Sequence, residues 1–369
     1  MDEKQDQEKQ TVVQSGIRQR EEKHFAVFIC KKELKLLKTS CEPEQSVELQ
    51  NVFSQRLEKG IMYPDVGTVI TVDLSAGGEE NEEKYGCYYY SVHVGENASD
   101  QSEVTKYLLC FLSSQEQTLD LFRTDLDEYC SDIVKPLKTQ DVSDYGELPT
   151  TLVESLQNWH TVAIDYLIRC KQALGDSLKF LIYSALHDNK LVLTGGTADL
   201  QADIQRFYNA CSLSDILIQL RDTRLRRETG SLSGSVDLLV DVDSRQTDAQ
   251  NTLTVSISAD SVRLDSNGCN RFCEEWANAI NRPEFQDQPA RQKQVIEAFK
   301  LKFIQTMNTL KRLLREAEND YYALYRLYVF LRDSGNCEIL LHYVRTEGAT
   351  DVANVLEVLQ DFIQEQGSV

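Results

Sequence analysis

Cys269 and Cys273 stand four residues apart, so a helix through them carries both thiols on one face, which is half of a metal site. Such a site needs two further ligands, and His160, His187 and His342 are isolated in the sequence. The pair is therefore read as core, with Cys273 packing beside Phe272 and Trp276. Gly195-Gly196-Thr197 precedes a helical pattern, a place where backbone N–H groups can cradle an anion. It lacks the Lys and the spacing of a phosphate loop and reads as an ordinary loop. No nucleophile elbow, kinase signature or zinc-hydrolase motif is present. With 59 acidic residues any chosen carboxylate pair is uninformative, and His24, His93, His160, His187 and His342 single out no triad. No catalytic, cofactor-binding or metal-ligating set is assigned, and the chain is expected not to be an enzyme.

Binding chemistry is more visible. Between Arg291 and Arg315 there are seven basic residues and one acid, Glu297, so this stretch carries +6 (seven minus one) in a chain whose net charge is -20. Helical spacing puts Lys300, Lys311 and Arg315 on nearly one face, with Lys293 one heptad before Lys300. Two readings follow: a solvated helix face, or a surface for an acidic partner protein or an anionic membrane. On the second reading Lys293, Lys300, Lys311 and Arg315 are the candidate partner-binding residues.

The element that must position them is a Gly- and Pro-free stretch from Ala290 to Ser334. Phe303, Met307, Leu310, Leu314, Ala317, Tyr321, Leu324, Tyr328 and Leu331 alternate spacings of four and three along it, which aligns them as one apolar stripe. As a single helix it is roughly 65 Å long at 1.5 Å per residue. Asn319-Asp320, two poor helix formers, mark a place for a break. A helix of this length calls for an antiparallel bundle partner, and the terminal helix expected over Val352 to Glu365 is the candidate.

Composition bounds the rest. The 369 residues suffice for two or three folded units. No run of about 18 apolar residues is present to span a bilayer. Met1 to His24 is polar and lacks the apolar segment of a secretory signal, and residues 1–23 read as a disordered tail. The ten cysteines are scattered singly, mostly in apolar runs, which fits reduced thiols in the cytosol. The strongly acidic balance argues against nucleic-acid binding, which needs clustered Lys and Arg on phosphates, and favours partners with basic surface.

From Phe25 to Thr139 the hydrophobic period changes repeatedly. His24 to Cys30 reads as a buried strand with Leu34 to Thr39 as its hairpin partner, and Val47, Leu49, Val52, Phe53 and Leu57 as a helix ending at Gly60. Strands are expected over Gly67 to Leu74, Tyr85 to Val94 and Val104 to Leu112, then a helix over Ser114 to Leu137. That order resembles the longin and roadblock type of domain, a five-stranded sheet with helices that recurs in membrane-trafficking and small-GTPase regulatory assemblies. Further on, helices are expected over Leu152 to Leu174, Ser177 to His187, Ala198 to Cys211 and Asn270 to Ala279. Strands are expected over Ser235 to Val242 and Thr252 to Leu264. The fold class is α+β: a longin-like domain over 24–140, then a mostly helical domain over 150–369 with a β-hairpin near 235–264 and a long C-terminal helix.

One further set of residues carries a resemblance. Asn270-Arg271-Phe272-Cys273-Glu274-Glu275-Trp276, Phe299-Lys300-Leu301-Lys302, Leu310-Lys311-Arg312, Ala317-Glu318 and Tyr322-Ala323-Leu324 occur in the order seen in the Njmu-R-one family. Gly86-Cys87-Tyr88-Tyr89, Cys110-Phe111-Leu112, Leu121-Phe122-Arg123 and Arg206-Phe207 support it upstream, and Phe330-Leu331, Gly335 and Ile339-Leu340-Leu341 downstream. The chain resembles a divergent member of that family from about Val47 to Phe362. The resemblance implies a non-catalytic subunit of a complex with a large WD-repeat protein and a second scaffold subunit. It places that complex at the trans-Golgi network, working with a TBC-domain golgin adaptor in the capture of endosome-derived vesicles, with at most peripheral membrane association. A role in spermatogenesis is also attached to the family. The longin-like order carries a different implication, that of a small-GTPase regulator acting in nucleotide exchange.

Overall fold

The structure, a computed structural model, describes residues 22–31, 33–74, 84–94, 105–115, 118–139, 148–213, 252–258, 262–265, 268–318, 320–346 and 353–365. The chain divides between Ala163 and Ile164 into two compact units. Most of the expected N-terminal tail, and the strand expected over Ser235 to Val242, lie outside the described residues.

The first unit is built on an antiparallel sheet of β1 (Lys23–Cys30), β2 (Leu34–Thr39), β3 (Thr68–Asp73), β4 (Lys84–Val94) and β5 (Thr105–Ser113), in the order β2-β1-β5-β4-β3. Phe25 to Ile29 of β1 are all buried, so both faces of the sheet are covered, as a continuous apolar run requires. Helix α1 (Pro43–Glu58) covers one face. It starts with Pro at its first turn and a capping box in which Glu42 and Gln45 satisfy each other's backbone N–H groups. Its Phe53 ring lies 6.1 Å from Phe28 and 5.3 Å from Tyr89.

The other face takes α2 (Thr118–Leu121), α3 (Arg123–Ile133), α4 (Lys135–Thr139), α5 (Thr150–Gln157) and α6 (Trp159–Ala163). Phe111 stacks on Trp159 at 4.8 Å, and the Tyr88 hydroxyl donates to Asp127 at 2.6 Å. The single helix expected over Ser114 to Leu137 is thus three. Pro136 lacks an N–H and its ring crowds the carbonyl four residues back, so α3 ends at Ile133 and α4 restarts beyond it.

The second unit begins with α7 (Tyr166–Leu174) and α8 (Leu178–Leu186), so the helix expected over Leu152 to Leu174 is also broken, at Asn158 and again at Ile164-Asp165. Strand β6 (Lys190–Gly195) and α9 (Ala198–Cys211) follow, then β7 (Thr252–Ile257) and β8 (Val262–Asp265). β7 pairs parallel with β6 and antiparallel with β8. The one strand expected over Thr252 to Leu264 is therefore two, joined as a hairpin, and β6 was not expected. Arg169 grips Asp203 with two hydrogen bonds of 2.6 and 2.8 Å, tying α7 to α9.

The remaining helices are α10 (Arg271–Ile280), α11 (Pro289–Ala317), α12 (Tyr321–Ser334), α13 (Cys337–Thr346) and α14 (Ala353–Glu365). The core joins α10, α11 and α13: Trp276 stacks on Phe299 at 5.3 Å, and Phe303 meets Tyr343 edge-on at 5.5 Å. Among the described residues no helix is long and apolar enough to cross a membrane.

Candidate interaction surface on the helical hairpin

The stretch from Ala290 to Ser334 is not one rod. α11 runs for 29 residues, roughly 44 Å, and α12 folds back along it. Arg326 and Glu316 establish the reversal: they are ten residues apart, about 15 Å along an unbroken helix, yet their side chains bond at 2.8 Å. The break falls where Asn319-Asp320 predicts it. Asp320 is the N-cap of α12, its carboxylate accepting from the Tyr322 N–H at 2.9 Å. Gly335, at φ 71°, takes the left-handed conformation that ends α12, and α13, an unexpected helix, starts two residues later.

The restart changes the phase of the apolar stripe. Phe303, Met307, Leu310 and Leu314 are buried on α11 as expected, and Leu324 and Leu331 on α12. Tyr321, the first residue after the cap, is 76% exposed, because the core face of α12 is Ala323, Leu324, Leu327 and Leu331.

The four basic residues do not share one open face. Lys293 has a side chain only 5% exposed, with its ammonium 4.0 Å from Glu297. Lys300 donates to the Ala210 carbonyl at 3.1 Å, in the last turn of α9. There an ammonium satisfies a terminal carbonyl and meets the negative end of the helix dipole. Both ammonium groups also oppose the burial that pushes the Cys211 thiol up to about 12. Lys311 is half-buried, and Arg315 is exposed. The field of the stretch is further reduced by Lys302, 3.5 Å from Glu275, and by Arg312, 3.9 Å from Glu316.

Sequence reasoning missed the outer face of α12. Tyr322 is 67% and Tyr325 51% exposed, and Val329 is half-buried beside them. With Arg332 they recur at spacings of three, four and three, opposite the core face. Arg326 stands over the Tyr322 ring, 5.8 Å from its centre. The signal was present in Tyr321-Tyr322 and Tyr325, but it is legible only once the break has fixed which side of α12 faces the core.

Other residues singled out in the sequence have structural places. Cys273 is buried with Phe272 and Trp276, and its N–H is capped by Asn270 at 2.9 Å. Gly195 and Gly196 have φ of 74° and 71°, and a Cβ on Gly195 would lie 2.4 Å from the Ile257 carbonyl oxygen, so close approach to β7 explains the pair. Thr197 caps α9. His187 and His342, isolated in sequence, have ring centres 5.3 Å apart, and burial followed by the His342 charge holds His187 below the usual imidazole range. Among the described residues no three His, Cys, Asp or Glu side chains are placed to hold a metal ion. A cavity of about 320 Å³ opens beside Arg271, Gly335 and Glu338, but Arg271 already donates to the Asp333 carbonyl and Glu338 accepts from Tyr183.

The model of the Njmu-R1-like protein family matches residues 3–365. Protein Njmu-R1 of Mus musculus is similar at 28% identity over 340 residues, which cover 90% of this chain and 80% of the mouse protein. A match that begins before the first strand and ends within α14 spans both units, and the chain belongs to the Njmu-R1-like protein family.

Proposed function

We propose that this chain is a non-catalytic subunit of a Golgi-associated complex that helps golgins capture endosome-derived vesicles at the trans-Golgi network. Membership of the Njmu-R1-like family across residues 3–365 is the observation that carries the proposal, since the role is the one that family resemblance implies. Its partners on this reading are a large WD-repeat protein, a second scaffold subunit and a TBC-domain golgin adaptor. Membrane association is peripheral, and localisation is cytoplasmic, at the trans-Golgi network and vesicles. The exposed aromatic face of α12, with Tyr321, Tyr322 and Tyr325, is compatible with a binding role.

Affinity purification of the tagged full chain from cells, read by mass spectrometry, is the test. The expected result is stoichiometric recovery of a WD-repeat protein and a scaffold subunit. A partner-free monomer in extract overturns the proposal.

A second reading is favoured by the strand order of the first unit, β2-β1-β5-β4-β3 with α1 between the second and third strands, which resembles the longin type. On that reading the chain regulates a small GTPase as part of an exchange factor. Nucleotide-release assays over a GTPase panel decide it, and no acceleration with any of them removes it.

A further inference from the structure

We propose that the outer face of α12 docks an amphipathic helix of another protein, with Tyr322, Tyr325 and Val329 as the apolar seam and Arg326 and Arg332 as the groups that read acidic residues flanking it.

A helix packed on one side of a fold ordinarily turns charged residues to water on the other. In α12 the core face is Ala323, Leu324, Leu327 and Leu331, and the opposite face carries Tyr322, Tyr325 and Val329, with the exposed Arg326 and Asp333 beside them. The spacing from 322 to 325 to 329 is the three-then-four rhythm of a helix–helix seam. Tyrosine suits such a seam, since it supplies a large contact area with few torsions to freeze and a hydroxyl that tolerates solvent in the free state. Tyr321 widens the same patch at the start of the helix.

Charge selects the occupant. The chain as a whole is at -20, which opposes pairing with a second copy of itself. The seam, in contrast, is edged by Arg326 and Arg332. Their present partners are Glu316, at 2.8 Å from Arg326, and Asp333, at 2.9 Å from Arg332. All four side chains are well exposed, so these ion pairs are weak and exchangeable. Acidic residues on an incoming helix can share the same guanidinium groups once the seam closes over them and lowers the local dielectric. The occupant is therefore a helix with apolar residues at spacings of three and four and Asp or Glu on the flanks, carried by a different protein.

The test uses the full chain in cells, with Tyr325 replaced by a photo-crosslinking benzophenone amino acid, and Val47, an exposed residue of α1, replaced likewise as control. The expected product at Tyr325 maps to a segment of another protein with the apolar spacing and acidic flanks just described. A synthetic peptide of that segment should bind the purified chain. Tyr322→Glu and Tyr325→Glu should each weaken it by about tenfold or more, Arg326→Glu and Arg332→Glu by less, and Glu→Lys changes in the peptide should restore the arginine variants. Both tyrosines point to solvent, so unchanged circular dichroism separates lost binding from lost folding, and Tyr325→Phe should keep affinity. Crosslinks confined to a second copy, yields no greater than at Val47, or peptide binding indifferent to Tyr322→Glu and Tyr325→Glu each overturn the proposal. A crosslinked protein foreign to the vesicle-capture complex would leave this proposal standing, while the trans-Golgi reading is decided separately by the purification above.

Discussion

Tyr88, Tyr89 and Tyr107 of the first unit and Tyr321, Tyr322 and Tyr325 of the second are the same residue type in opposite surroundings. The first three are buried in a sheet with helices on both faces, and Tyr88 finds a partner for its hydroxyl in Asp127. The second three stand at the start of a helix whose core side is filled by Ala and Leu, and they face water. Burying a tyrosine contributes most of its hydrophobic free energy to folding. Leaving it outside withholds that free energy from the monomer and makes it available to an interface. The contrast separates residues that hold this protein together from residues free to hold something else.

The sharpest way to break that contrast is to remove an aromatic on each side of it. Phe111→Ala deletes the ring stacked on Trp159 and should cost the first unit ~3–5 kcal/mol. The chain has two tryptophans, Trp159 and Trp276, so denaturant unfolding followed by fluorescence in a Trp276→Phe background reports the loss through Trp159 alone. Tyr325→Ala, followed through Trp276 of its own unit in a Trp159→Phe background, should change stability by less than about 0.5 kcal/mol, as surface substitutions do. A cost for Tyr325→Ala equal to that of Phe111→Ala would mean that α12 depends on its outer face for folding.

Gly195→Ala ranks next. The substitution places a methyl group against the Ile257 carbonyl and asks an L-residue to hold a left-handed φ, so β6 must separate from β7 or the turn must rearrange. A loss of about 1–3 kcal/mol is expected from the strained backbone, with hydrogen-exchange protection falling first in 190–195 and 252–257. Unchanged protection there would show that the turn has room.

How far the sequence discloses this arrangement depends on the range of the contacts involved. Strands β1, β4 and β5 and helices α1, α9 and α10 are legible because their apolar period and their end signals are local: Pro43 and Gln45 at the start of α1, Thr197 before α9, Asn270 before α10. β6 escaped because Leu191-Val192-Leu193 is too short to distinguish from the end of α8, and its strand character comes from pairing with β7, about sixty residues away. The surroundings of the basic residues of α11 were not legible for the same reason. Their spacing puts them in line, but the C-terminal end of α9, which Lys300 reaches and whose Cys211 Lys293 also influences, is invisible to a helical wheel. The break at Asp320 was legible from two poor helix formers; the reversal it produces was not, because no local rule says which way α12 turns.

The break itself can be sharpened by Asp320→Ala. The change removes the carboxylate that accepts from the Tyr322 N–H and should cost about 1 kcal/mol, with Asp320→Asn recovering most of it. Fraying should be confined to the first turn of α12, where Tyr321 and Tyr322 sit, so the same variant should weaken any ligand of the outer face more than it weakens the fold. Amide exchange over 320–326 distinguishes this from general destabilisation.

The smallest expected effect is a pH dependence in the second unit. The His187 ring is tilted against Tyr183, centres 4.6 Å apart, and lies 5.3 Å from His342, with Asp188 and Glu338 as the nearby acids. Desolvation and then the His342 charge lower its pKa in the folded state, while Glu338 and Asp188 act in the opposite sense with less effect. The unfolded chain therefore takes up this proton first as the solution is acidified. Stability is complete above the ordinary imidazole value near 6.5 and declines as pH falls below it. Thermal melts from pH 7.5 to 5 should show the decline, and His187→Gln should flatten it by removing the titrating group while keeping a polar side chain. A decline of the same slope in His187→Gln would assign the dependence to other groups, and a rise in stability on acidification would show that the two carboxylates, rather than burial, govern the pair.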